Sequence, residues 1–144
     1  MEYKIIPVPK PRMTGRDKWL NPPRPMVKRY WDFCNWCKLE KVILPCYGAH
    51  VTFILPMPES LSKKTKKTRD GKPHTIRPDL DNLIKSLSDA IYENDSVIYD
   101  IWATKIWGYE GKIIIDDIRQ EVIERPQVNK IDRDGLSDMG RGKL

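Results

Sequence analysis

Residues 77–95 read RPDLDNLIKSLSDAIYEND. Leu80, Leu83, Ile84, Leu87 and Ile91 fall at i, i+3, i+4, i+7 and i+11, the spacing of one apolar helix face. The opposite face carries Asp81, Lys85, Ser88 and Asp89. This stretch has the strongest periodicity in the chain and predicts a helix from Asp81 to about Tyr92. Arg77 precedes proline and is biased to an extended backbone. Asp79 and Asp81 would diverge within a helix, but side chains two apart share a side of an extended segment. An extended path through Asp79, with the helix starting near Asp81, lets both carboxylates converge. Lys85 then lies one turn beyond Asp81.

Two readings fit these acids. They favour the helix macrodipole and cap its free amides, with Asp95 merely in a turn. Alternatively they hold a hard cation, since Mg²⁺ binds through one or two carboxylates plus waters and phosphate oxygens. Zinc is disfavoured, because no histidine or cysteine has metal-ligand spacing.

Downstream, SVIYDIWATKIW and GKIIIDDI are rich in β-formers and are separated by a turn that Gly108 and Gly111 flank. They predict a hairpin. Upstream, residues 59–78 are polar and basic, broken by Asp70-Gly71 and Pro73, and are expected to form a long loop. Lys63, Lys64, Lys66, Lys67, Arg69, Lys72 and Arg77 lie there, in front of the aspartates. Such a run is either a solvated segment or a clamp on a DNA backbone. AHVTFILPMP reads as a strand. Val27, Tyr30, Trp31 and Cys34 share one helix face, in a helix ending near Val42.

Residues 9–26 hold five prolines and five basic residues, and neither helix nor strand survives that many prolines. Lys10, Arg12, Arg16, Lys18 and Arg24 alternate there with Trp19, a pattern suited to phosphates and a stacked base. A solvated loop with one buried tryptophan fits as well. EYKIIPV is an opening strand. Past Val122 the periodicity ends, and 124–144 is expected to be a flexible tail behind a domain over 1–123.

The 144 residues are 40% hydrophobic and 32% charged, an ordinary soluble mix for one domain. The most apolar run is too short to span a bilayer, and the N-terminus lacks a signal layout, so a cytoplasmic protein without membrane contact is expected. Three cysteines without an export signal argue against disulfides; Cys34 and Cys37 read as small core-facing residues. The net charge of +6 is uneven. Residues 1–78 have 17 Lys and Arg against 6 Asp and Glu (+11), and residues 79–144 have 9 against 14 (−5). That asymmetry fits a basic surface for a polyanion and a separate acidic locus.

The pattern D-x-D-N-x-x-K at Asp79, Asp81, Asn82 and Lys85, followed by Asp95 before a β-rich strand, resembles the RusA family of Holliday-junction resolvases. The resemblance spans roughly 3–120. It includes the opening strand, the basic loop and the closing hairpin. It implies an α/β fold: a small mixed sheet of about four strands with two main helices. It also implies a Mg²⁺-dependent endodeoxyribonuclease, with Mn²⁺ standing in, that nicks four-way junctions symmetrically as a homodimer in recombination and repair. No small-molecule cofactor is implied. Asp79, Asp81 and Asp95 would hold metal, and Lys85 would complete the catalytic set. Lys10, Arg12, Arg16, Lys18, Lys63, Lys64, Lys66, Lys67, Arg69, Lys72 and Arg77 would grip DNA. The family site often pairs two acids before the strand, and here Asn94 precedes Asp95.

A helix from Asp81 to Tyr92 is about 18 Å long, and three residues span about 10 Å. Asp95 is therefore not expected to return to Asp79 in its own subunit, and a two-fold dimer would bring it to a partner's helix start. Other functions remain open: a nucleic-acid binder without catalysis, or a nuclease for flaps or forks.

Overall fold

The computed structural model describes residues 1–117. The expected boundary at 123 and the tail over 124–144 lie outside the described residues. The elements are β1 (Glu2–Tyr3), α1 (Pro25–Leu39), β2 (Ala49–Pro56), α2 (Lys63–Arg69), α3 (Leu80–Ile91), β3 (Ile101–Gly108) and β4 (Lys112–Asp117). Single 3-10 turns form at Asp17–Trp19 and Asp95–Val97. The strands make one mixed sheet in the order β1-β4-β2-β3. β2 runs parallel to β3 and antiparallel to β4. The expected α/β class with a four-stranded sheet is observed.

β2 alternates strictly: Ala49, Val51, Phe53 and Leu55 are buried, while His50, Thr52, Ile54 and Pro56 are half-buried on the other face. Period-two alternation of this kind marks a strand with one face on the core. The buried face meets α1 and α3, and Phe53, Leu44, Leu83, Leu87, Ile113, Val27 and Val51 are fully enclosed. Pro25 opens α1, where its missing N–H costs nothing. The buried row of α1 is Val27, Tyr30, Phe33 and Cys37, so the expected face is shifted and Trp31 points outward. All three cysteines are free. Burial, with Cys34 nearby, pushes the Cys37 thiol up to about 12, as suits an inert core residue.

Two expectations fail here. β3 and β4 do not form a hairpin. β2 lies between them, pairing with β3 over its whole length from Ala49↔Ile101 to Pro56↔Gly108. As the most buried strand it takes partners on both edges, and residues 109–111 must step past it. The two glycines are required for that close passage. A Cβ on Gly108 would lie 2.3 Å from Ile54 Cγ2, and one on Gly111 would lie 2.7 Å from Ile6 Cα.

The segment 59–78 is not all loop, because Lys63–Arg69 is helical. Ser62 caps it, its Oγ accepting from Thr65 N–H at 3.2 Å. The helix buries nothing and stops at Asp70-Gly71, where Gly71 has φ +79°. Lysine is a good helix former, so a capped solvated helix outcompetes a loop despite lacking an apolar face.

Candidate active site

The site begins where the chain enters α3. Asp79 is extended (φ −69°, ψ 144°) and is the N-cap residue, but its carboxylate makes no capping bond. Its backbone carbonyl accepts from Leu83 N–H at 3.1 Å. Asp81 sits in the first turn, its Oδ1 accepting from the Asn82 amide at 2.9 Å. Both residues are exposed, and neither forms an ion pair among the described residues. The capping explanation for Asp79 is thereby removed.

One turn further, Lys85 Nζ donates to Asp95 Oδ2 at 2.7 Å and lies 3.4 Å from Asp89 Oδ1. Lys10 Nζ donates to Asp89 Oδ2 at 2.5 Å. Lys10, Asp89, Lys85 and Asp95 thus form a continuous chain of alternating charge. The hydrogen bond to Asp95 holds the Lys85 ammonium above its ordinary value, and the same bond holds the Asp95 carboxyl below its own. Asn94 fixes the turn, its Oδ1 accepting from Ser96 N–H at 3.1 Å. Among the described residues no three His, Cys, Asp or Glu side chains gather to hold a metal. Yet Asp95 does reach the Asp81-Lys85 face of its own chain.

A strut positions Asp79. Gly71 N–H donates to Trp107 O, Trp107 N–H to Lys72 O and His74 N–H to Lys105 O, each near 3 Å. This lays 71–74 along the outer edge of β3. Lys105 Nζ then donates to the carbonyls of Ile76 (2.7 Å) and Pro78 (2.6 Å). The Arg77-Pro78 peptide is cis. His74 is buried against the Trp107 ring (centroids 4.1 Å apart), and its Nδ1 is unpartnered. It is a packing residue. Burial, with Lys105 nearby, lowers its pKa.

The basic residues divide into free and committed groups. Lys63, Lys64 and Lys67 are exposed on α2 and Lys66 is half-buried, with Arg69 5.9 Å from the Trp107 ring. Arg12, Arg16, Lys18 and Trp19 are exposed, with Lys18 Nζ 5.1 Å from the Trp19 ring, so the tryptophan is not buried. Arg24 is committed. It grips buried Asp17 through Nε and Nη2 at 2.8 and 2.9 Å, and donates to Arg12 O. That guanidinium, with the Thr14 amide, holds Asp17 well below the usual carboxylate range. The proline-rich loop is therefore an organised one.

Asp89, Asp17 and Lys105 were not singled out as functional from the sequence. Asp89 had a signal, four residues after Lys85. Arg24 and Asp17 are seven apart in a loop, and Lys105 acts on carbonyls 27 and 29 residues away, so neither leaves a local pattern.

The start of α3 thus combines an exposed acid pair with a lysine network beside it, and α2 carries a separate basic surface. The family model for Endodeoxyribonuclease RusA matches residues 3–116, and the chain belongs to that family. The uncharacterized protein YqaN of Bacillus subtilis (strain 168) is 30% identical over 82 residues. That match covers 51% of this chain and 58% of that protein. No solved structure matches.

Proposed function

We propose that the chain is a Mg²⁺-dependent, structure-selective endodeoxyribonuclease that cuts four-way DNA junctions by paired symmetric nicks. In this reading it acts as a cytoplasmic homodimer in recombination and repair, and Mn²⁺ substitutes for Mg²⁺. The observation that carries it is the start of α3. There Asp79 spends no carboxylate oxygen on its helix, Asp81 lies within the same turn, and Lys85 follows.

The donor set fits a hard divalent ion: two exposed carboxylates with room for waters and phosphate oxygens. When bound, such an ion supplies an activated water and offsets charge on the phosphate and the leaving oxygen. Asp79 and Asp81 would hold it, and Asp95 would join them on exchanging its bond with Lys85. Lys85 then faces the phosphate and stabilises its extra negative charge. Lys10 and Asp89 hold Lys85 on this face. The α2 lysines, Arg69, Lys72, Arg77, Arg12, Arg16 and Lys18 grip the backbone. A two-fold dimer presents two such sites to the two strands of a junction.

The test is incubation of the protein with four-way junctions, flaps and forks under one Mg²⁺ condition. Junction cleavage that falls at least about 100-fold in Asp81→Asn, with junction binding retained, supports the reading. Binding without cleavage makes the chain a nucleic-acid binder, and preference for flaps or forks reassigns its substrate.

A further inference from the structure

Beside Asp79 lies a cleft of about 600 Å³ between the segment after β1, the start of α1, β2 and the approach to α3. Its size falls within the range of small-molecule sites. One wall is apolar: Pro7 and Pro9 from the segment after β1, Met26 at the start of α1, and Leu55 of β2. The rim carries Arg29 and Arg77, both exposed and neither in an ion pair among the described residues. Asn82 adds an amide, and Asp79 closes the side toward the candidate metal locus.

We propose that this cleft is a nucleotide subsite: it takes one unstacked nucleotide of the DNA strand, next to the phosphodiester that the Asp79-Asp81 locus cleaves. The inference rests on the nuclease reading above. Its direction follows from the lining. The Asp79 side would take the phosphate that is cut, through the ion held there, and the facing wall of Pro7, Pro9, Met26 and Leu55 is apolar, so the uncharged base goes against that wall. The flanking phosphates then meet the two unpaired guanidinium groups, whose planar donors suit phosphate oxygens. The Asn82 amide, able to donate and accept, is placed to meet a base edge. A base taken from a strand at a branch point has already lost much of its stacking, which lowers the cost of moving it into a pocket.

The test uses full-length protein and four-way junctions carrying 2-aminopurine at successive positions near the branch, with Ca²⁺ in place of Mg²⁺ so that binding is read without cleavage. The expected result is a fluorescence rise at one position only, next to the bond cut under Mg²⁺. An abasic site there weakens binding about tenfold. Met26→Trp fills the cleft; Met26 is half exposed and the change leaves the core intact. In that variant the fluorescence rise disappears and intact and abasic junctions bind equally. Arg29→Ala weakens binding of both junctions alike. Equal signals at every position, or an unchanged rise in Met26→Trp, would overturn the proposal. Failure of the nuclease reading is distinct, appearing as no cleavage of any branched DNA under Mg²⁺ whatever the fluorescence shows.

Discussion

Lys85 reaches Asp95 across 2.7 Å, and the two are ten residues apart in the chain. The helix would carry Asp95 away from its own start, but the capped 3-10 turn at Asn94 folds it back to the middle of α3. A long lysine side chain closes the remaining gap. The pair stays charged across the physiological range, with Asp95 shifted down and Lys85 shifted up. Lys85→Ala is expected to lower the cleavage rate about 10²- to 10³-fold at saturating junction, with the binding constant nearly unchanged. A loss confined to binding would make Lys85 a phosphate grip and no more.

Lys10 was expected to touch DNA, but its ammonium is committed to Asp89. Lys10→Met should therefore act through Lys85, slowing cleavage while leaving the salt dependence of binding in place. Replacing Lys63, Lys64, Lys66 and Lys67 by alanine should do the reverse. Affinity falls, and the log–log salt slope drops by about 0.9 for each phosphate that is no longer neutralised. Identical behaviour of the two variants in a salt titration would remove the division.

His74 makes stability depend on acidity. Its folded pKa lies below the ordinary histidine value of about 6.5. The unfolded chain takes the proton first, so the contribution is fully present above about pH 6.5 and declines as pH falls below it. The melting temperature should drop from pH 7.5 to 5.5, and His74→Phe should shrink that drop. His50, the other histidine, is common to both proteins. An equal drop in both would place the sensitivity elsewhere.

Gly111 sits against the Ile6 backbone. Gly111→Ala should destabilise the fold by about 1–3 kcal/mol in urea unfolding, because the neighbour is main chain and cannot swing aside. A neutral result would show that the connection past β2 has slack.

Much of this was legible in the sequence. The apolar row from Leu80 to Ile91 placed α3, and the proline before Asp79 set the extended approach that leaves its carboxylate free. The β-branched and aromatic residues of AHVTFILPMP placed β2, though not which of its faces meets the core. What escaped depends on partners distant in the chain. Nothing local to β3 and β4 tells that β2 slips between them. Ser88 read as solvent-facing, yet it is buried, its Oγ donating to Ile84 O at 2.8 Å, because α3 packs against α1 as well as the sheet. The Lys63–Arg69 helix escaped because it has no apolar periodicity, only a capping serine.

The central claim is that Asp79 and Asp81 recruit a divalent ion. Mn²⁺ binding followed by electron paramagnetic resonance, with a four-way junction present, tests it most directly. The wild-type chain should remove free Mn²⁺ stoichiometrically, and Asp79→Asn with Asp81→Asn should abolish that uptake while still binding the junction. Equal Mn²⁺ uptake by the wild-type and doubly substituted chains would contradict the account.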